Sequence, residues 1–430
     1  FSGLTSPFTV TLQSDKVTAK AGSVAGGTFF SFNNNDTTKP NTLNVVVADG
    51  VTTIPANMFS ENASPTRTKS NINVLNISGS SLTEIKSGAF QNNQELTSVD
   101  LSDAPNLKKI DSNAFSNCSM TSINFGTNCD IETIGTSAFE SCKNLASITI
   151  GNVKTIGERA FNNCSSLANI NQTDGKNDLR GSTLTSIGQY TFGGCSALTN
   201  LYLPSTLMRI SSDAFSDALA AKNSAVYVQA IANNKFTTYS RGFGLTPTSN
   251  ASVWTISRID KANKKVILSQ ASTMPSGDDY PNGYVFYNSG SQQSYDFPVI
   301  FNGTTVSKAT SYGTSMKGTL DGKTFTDDES KYCYFVWSTD MKLHPVLANT
   351  TLPAGKAYFE GEKTESAKAY QGFAFVLDYN GTTDIKGVKE EQHNELGNDY
   401  YYDLGGRKVE NPSEGIYIHH GKKVIVTKSL

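Results

Sequence analysis

The side chains best suited to nucleophilic or metal chemistry in this 430-residue chain are six cysteines and four histidines, and their spacing favours neither chemistry. Cys118, Cys142, Cys164 and Cys195 each stand three residues after a Phe, a position that Asn62 and Asn93 fill earlier in the chain. A position shared by Cys and Asn in a periodic pattern predicts small inward side chains, hence buried thiols rather than stacked disulfides. Cys129 and Cys333 lie outside the pattern. No C-x-x-C or H-x-x-x-H spacing occurs, and His344, His393, His419 and His420 all fall late in the chain. The His419-His420 pair sits at a predicted hairpin turn, where solvent exposure is the plain reading. Motifs of the G-x-S-x-G, Walker, G-x-G-x-x-G and H-E-x-x-H kinds are absent, and the scattered Asp and Glu read as solvated faces. The sequence therefore predicts no enzyme, no metal and no cofactor.

A second set of side chains suits recognition instead of catalysis. Apolar runs of the form L-x-x-I-x-I recur as Leu96-Val99-Leu101, Met120-Ile123-Phe125, Leu145-Ile148-Ile150 and Leu198-Leu201-Leu203, with Leu167-Ile170 losing its last member to Asn171. Alternation predicts short strands with one buried face. The intervening residues then point outward: Ser98 and Asp100, Ser122 and Asn124, Ser147 and Thr149, Asn169 and Asn171, Asn200 and Tyr202. Such a nearly neutral face offers hydroxyls and amides to a sugar or to protein backbone. The candidate binding residues are Asp100, Asn124, Thr149, Asn171 and Tyr202, with Tyr202 the best single anchor because it joins an aromatic body to a polar tip. The competing reading is that these polar groups only keep the sheet soluble.

What positions those strands is a longer period. Ile, four residues, then Phe occurs seven times: Ile54/Phe59, Ile85/Phe90, Ile110/Phe115, Ile134/Phe139, Ile156/Phe161, Ile187/Phe192 and Ile210/Phe215. The phenylalanines advance by 31, 25, 24, 22, 31 and 23 residues, which is the spacing of a solenoid of roughly 20 to 29 residues per coil. Before each Phe stands a small residue, Ala89, Ala114, Ala138, Ala160 or Ala214, with Met58 and Thr191 as substitutes. No coil buries its own apolar edge, so the Phe and Ile columns are covered only by stacking. At about 4.8 Å per strand, such a stack is on the order of 35 Å long.

The units IGTSAFESCKNLASI, from Ile134 to Ile148, and IGERAFNNCSSLANI, from Ile156 to Ile170, resemble the BspA-like leucine-rich repeats of bacterial surface proteins. Departures are a coil one residue short between Cys118 and Met120 and inserts before Phe90 and at Asn171–Thr183. At the C-terminus, Tyr402, Asp403, Gly406, Arg407, Val409, Gly415, Tyr417, Gly421 and Lys422 match a Y-D-x-x-G-R-x-V…G-[IL]-Y-I…G-K-K-V pattern. That tail is similar to type IX sorting domains. Leu352 to Glu360 resembles the region found before such tails. The two resemblances imply an exported protein, at the cell surface, associated with the outer membrane or secreted.

The expected fold is mainly β with short helical or irregular segments, in four parts. Residues 1–50 form an N-terminal β cap and residues 51–246 a leucine-rich repeat solenoid with its own C-terminal cap. Residues 250–380, with runs such as VWTISRI, YDFPVIF and YCYFVWS, read as an antiparallel β-sandwich, and residues 395–430 as a C-terminal hairpin module. Trp254 and Trp337 read as core in preference to a sugar-stacking platform. The net charge of −2 offers no basic field for nucleic acid or an anionic membrane. No apolar run approaches 18 residues, so no membrane span is expected. Phe1 in place of an initiator Met reads as a mature or trimmed chain.

The BspA-like resemblance implies an adhesin-like binding protein whose repeats contact an extracellular protein or glycan of host or microbe. Two alternatives stand beside it, namely glycan capture by the sandwich and a purely architectural surface component.

Overall fold

The computed structural model describes residues 8–12, 41–60, 72–126, 131–151, 153–171, 174–218, 224–230, 235–247, 252–260, 262–271, 274, 276, 282–288, 294–300, 316–326, 334–337, 343–346, 349–360, 373–378, 401–402, 408–409, 415–419 and 422–426. The alternating runs do become strands. A first ladder of parallel strands joins, in order, Phe8–Leu12, Asn41–Val47, Ile72–Ser78, Ser98–Asp103, Ser122–Asn124, Ser147–Ile148 and Asn169–Ile170. Residues 13–40 of the expected N-terminal β cap lie outside the described residues. A second parallel ladder joins Thr53–Ile54, Glu84–Ile85, Lys109–Ile110, Thr133–Ile134 and Thr155–Ile156, and the pair Ser186–Ile187 and Arg209–Ile210 repeats its form.

Between the ladders each coil turns around its Phe. The seven rings stack face to face, with centroids 5.2 to 5.7 Å apart, a geometry worth roughly 0.5–1.5 kcal/mol per pair beyond area burial. Their backbones form a third row, since Phe90, Phe115 and Phe139 donate their N–H groups to Ala114, Ala138 and Ala160, each at 2.8 Å. Those alanines are fully buried, and a larger side chain there would push the coils apart.

The Cys column carries hydrogen bonds that inward size alone does not suggest. Cys118, Cys142, Cys164 and Cys195 are buried free thiols, and each donates its S–H to the carbonyl of the preceding coil's Phe at 3.0 to 3.2 Å. Asn93 fills the position with an amide that donates to the Phe59 carbonyl at 2.9 Å and to Phe90 at 2.6 Å. Cys and Asn interchange because both are small donors that reach the Phe carbonyl of the preceding coil. Burial pushes the Cys142 and Cys195 thiols up to about 12, and Cys164 well above its ordinary range.

Among the described residues there is no helix, so the connecting segments are irregular and not helical. The dihedrals give the reason. Asn57, Asn113, Ser137, Arg159 and Tyr190, two residues before a Phe, and Asn92, Asn117, Ser141, Asn163 and Asp217, two residues after one, all have φ between 51° and 68°. Two left-handed residues per turn break any helical run.

Past the repeats, antiparallel pairing takes over. Strand Leu201–Leu203 pairs in parallel with Ala225–Ala230, which pairs antiparallel with Ser294–Ile300, whose other edge takes Gly244–Leu245. A five-stranded sheet contains Lys235–Tyr239, Tyr284–Asn288, Ser252–Asp260, Lys265–Gln270 and Ala374–Asp378, and a four-stranded one Met316–Thr319, Lys356–Glu360, Tyr334–Trp337 and Leu343–Pro345. Trp254 is completely buried in a cluster with Phe335 and Phe359, so it belongs to the core; the Trp337 side chain lies outside the described residues. At the end of the chain, Tyr401–Tyr402, Lys408–Val409, Gly415–His419 and Lys422–Val426 form a separate antiparallel sheet, with His419 opposite Lys422 across the hairpin. His420 and Gly421 are outside the described residues.

Candidate functional site

Of the five candidate residues, Asp100 and Asn124 lie on strands of the first ladder, Thr149 and Asn171 directly follow two others, and Tyr202 lies on Leu201–Leu203 in the next sheet. Asn44, Asn76, Asp100 and Asn124 lie in register on successive strands. Asn76 donates to the Asn44 side chain at 2.9 Å, and Asn124 donates to Asp100 at 3.1 Å. The structure thus brings Asp100 and Asn124 together, but each also accepts a backbone N–H two residues on, from Ser102 and Gly126, both at 2.9 Å. These are local side-chain-to-backbone bonds, and that of Asn124 stands at the end of its strand. Thr149 is exposed between buried Ile148 and Ile150.

Asn171 has a different occupation. With φ at 45°, it turns its carboxamide back onto the previous coil, accepting the Ile150 N–H at 2.7 Å and donating to the Gly151 carbonyl at 3.1 Å. It replaces with a side chain the pairing that the missing apolar residue would have continued.

The insert that follows is built into the ladder. Asn177, 1% exposed, accepts the Ile170 N–H at 2.7 Å and donates to the carbonyls of Ala168 at 3.0 Å and Asn200 at 3.1 Å. Its own N–H goes to the Asn200 side chain at 3.0 Å, and its carbonyl accepts from Tyr202 at 2.8 Å. One carboxamide thereby does the work of a peptide unit between two coils that a 31-residue spacing would separate.

Fixed by that keystone, Lys176, Asp178 and Arg180 surround Tyr202. The Lys176 ammonium lies 4.7 Å from the ring centroid and the Arg180 guanidinium 5.2 Å. Arg180 grips Asp178 with two side-chain bonds of 2.9 and 2.7 Å and one backbone bond of 2.8 Å. The bond from Arg180 comes first among the causes that hold the Asp178 carboxyl below its usual range. Cations over an aromatic ring are worth roughly 0.5–1 kcal/mol at exposed sites. The arrangement presents a half-buried tyrosine, a held guanidinium and an ammonium on one rigid patch, and it can hydrogen-bond and attract charge. Lys176, Asp178 and Arg180 were not among the candidates. Their signal is the alternation of Lys176, Asp178 and Arg180 with buried Asn177 and Leu179, a strand-like period inside a stretch that reads as an insert.

The second ladder is chemically unlike the first. Its outward row carries Lys109 bonded to Glu84 at 2.5 Å, with Asp111 at 3.6 Å, and Lys154 bonded to Glu132 at 2.6 Å. The bond from Glu84 raises Lys109, and the bond from Lys154 lowers Glu132. Solvent screens exposed pairs of this kind, so they add little to stability. Among the described residues, no three His, Cys, Asp or Glu side chains converge on a metal-sized site, and no helix is long and apolar enough to cross a membrane.

Comparison with known proteins gives the family of the stack. The chain is similar to solved leucine-rich repeat structures from T. pallidum (24% identity, 39% of this chain and 68% of that one, TM-score 0.29), Faecalibacterium prausnitzii A2-165 (24%, 43% and 59%, 0.23) and Bacteroides ovatus ATCC 8483 (21%, 42% and 55%, 0.23). The chain thus spans 59% and 55% of the last two. No curated protein matches it. The family model described as BspA type leucine rich repeat region matches in six copies, over residues 66–183 and 178–250. Sharing the Ile–Phe–Cys coil described above, residues 66–250 are a BspA-type leucine-rich repeat region.

Proposed function

We propose that this chain is an exported, non-enzymatic binding protein of the cell surface, adhesin-like, whose repeat face engages an extracellular protein. Proteins of this repeat family are typically displayed or secreted and bind proteins, which supports the general class. The observation that carries the finer reading is the Tyr202 patch, where the Lys176 and Arg180 cations lie within 4.7 and 5.2 Å of the ring centroid. Tyr and Arg held rigid before contact make a binding anchor with little ordering left to oppose association. Thr149, Asn124 and Asp100 extend the patch along the sheet as polar rim. The C-terminal hairpin module, by its resemblance to sorting domains, belongs to the same proposal as the element that directs export. Glycan capture by the 250–380 region draws less support, because Trp254 is spent on the core.

The test is a binding screen of the full chain against immobilised matrix proteins, mucin and a glycan array. The expected result is retention by a protein ligand that Tyr202→Ala reduces at least ten-fold, with an unchanged unfolding midpoint. Binding that ignores Tyr202→Ala, or that is confined to glycans, would overturn the assignment of the face.

A further inference from the structure

The last coil does not end the core. One cluster of buried side chains runs from Leu43 to Val299, because the strand Leu201–Leu203 passes its sheet on to Ala225–Ala230 and then to Ser294–Ile300. At the seam sits Arg241, only 7% exposed. Its Nη1 donates to the carbonyls of Ser240 at 2.8 Å and Gly355 at 3.0 Å, and its Nη2 to that of Ser205 at 3.0 Å. The guanidinium also lies 5.0 Å from the ring centroid of Tyr239 and 5.6 Å from that of Tyr227. No carboxylate pairs with it among the described residues, and its Nε finds no acceptor.

A buried cation is tolerated only where other groups, such as fixed dipoles and aromatic faces, replace its water. Here those groups come from three places far apart in sequence: the turn of the last coil at Ser205, the segment at Tyr239–Ser240 and the loop at Gly355. Each must be in position for the charge to be buried at all. Gly355 is shaped for the task, with φ at +73° and so little room that an added Cβ would lie 2.2 Å from Arg241 Nη1. Neighbouring bonds cross the same seam. Gly242 donates to Met208 at 2.7 Å and Ser240 to Gly355 at 3.1 Å, and on the surface Arg209 holds Asp321 with bonds of 2.8 and 2.5 Å.

We infer that Arg241 is the pin that makes the repeat stack and the sheets after residue 250 one cooperative body. The sheets beyond the repeats act as the stack's cap, and the repeat face is held at a fixed angle to them. A hinge between two independently folded units is the alternative that this geometry opposes.

The experiment follows urea unfolding of the full chain by tryptophan fluorescence, which reads the cluster around Trp254, and by hydrogen exchange at the Phe115 and Phe139 amides, which reads the stack. The expected result is one coincident transition in the natural chain. In Arg241→Met the two signals part, and the amides of Ser240, Gly242 and Gly355 exchange at least ten-fold faster while Phe115 and Phe139 keep their rates in native buffer. Separate transitions in the natural chain, or junction amides as slow in the variant, would overturn the inference. Should Arg241→Met yield no folded protein, Gly355→Ala keeps the charge while disturbing its seat and the Gly355 turn, and the same faster exchange at the junction is expected.

Discussion

From Phe90 to Phe161 each coil meets the next through three repeated rows, two of strand and one of Phe amides, whereas between Phe161 and Phe192 the first row passes through an insert. In the regular part, every contact is made by the same residue type at the same place, so stability is a sum of near-identical neighbour terms. In the irregular part, the ladder is kept by contacts that differ from coil to coil, the backbone bonds of Asp178 to Ile170 and of Leu179 to Tyr202 together with the carboxamides of Asn171 and Asn177. The difference teaches that periodic contacts repeat one side-chain type in the same surroundings, so the loss of a single ring is felt by both of its neighbours, whereas the insert rests on polar contacts that occur once. It also places the Tyr202 patch where the pattern breaks, which is where a surface can depart from what stacking dictates.

The largest expected effect tests the regular part. Phe139→Ala removes a ring stacked on both sides, at 5.6 and 5.4 Å, and should cost about 3–5 kcal/mol. Phe59→Ala, in the first of the seven coils and stacked on Phe90 at 5.2 Å, should cost less. Equal drops in urea midpoint for the two variants would contradict a stacked core.

Next comes the keystone. Asn177→Ala strips the Ile170 N–H and the Ala168 carbonyl of their partners, and leaving buried groups unpaired costs roughly 1–3 kcal/mol each. A loss of about 2–4 kcal/mol is expected, measured by chemical unfolding. Binding at Tyr202 should weaken too, because Lys176 and Arg180 lose the residue that holds their segment. A neutral outcome would mean that the insert is not integral to the ladder.

How much of this was legible from the letters follows the same division. The Phe, Ile and Cys columns declare themselves because each recurs at a fixed interval, and the outward residues follow from the alternation of Val99, Leu101 and their equivalents. Connecting segments were expected to be helical or irregular, and the left-handed turns make them irregular. Asn57, Asn113 and Asn163 hinted at such turns, but Ser137, Arg159 and Tyr190 adopt them only because the next coil holds them there. Nothing local marks Asn177 as a surrogate peptide group or brings Lys176 and Arg180 to Tyr202. The pairing of Ala225–Ala230 with Ser294–Ile300 and the seat of Arg241 at Gly355 join residues about seventy and more than a hundred positions apart, and sequence pattern does not carry such distances. Of the five candidate residues, Asp100 and Asn124 do lie side by side in register, whereas Asn171 serves the stack itself.

The thiols give a smaller effect that again contrasts repeated with unique contacts. Burial raises Cys142, Cys164 and Cys195 in the folded chain, while an unfolded thiol titrates near 8.5. Above that value the unfolded chain has lost protons that the folded chain keeps, so stability falls as pH rises, by up to about 1.4 kcal/mol per pH unit for each thiol until the folded group titrates. Below about pH 8 the contribution is flat. Cys142→Ala should make the decline between pH 9 and 10 shallower by about one thiol's share, read from unfolding midpoints at fixed ionic strength. An unchanged slope would show that the thiol is ionised or exposed in the folded chain.

The smallest expected change has the opposite sign. Ser141 sits at φ 60°, in the turn after Phe139, and its N–H donates to the Asn162 carbonyl at 2.7 Å. A left-handed residue with a Cβ costs roughly 1–2 kcal/mol relative to one without, although glycine loses more freedom on folding, by about 0.5–1 kcal/mol. Ser141→Gly should therefore stabilise by about 0.5–1 kcal/mol, visible as a rise in urea midpoint with the same slope. Gly194 already occupies the equivalent place after Phe192, with φ at 67°, so the chain itself shows that the turn accepts the change. A destabilised variant would mean that the Ser141 side chain, and not the backbone, is what the turn needs, and the regular coils would then depend on individual residues as the insert does on Asn177.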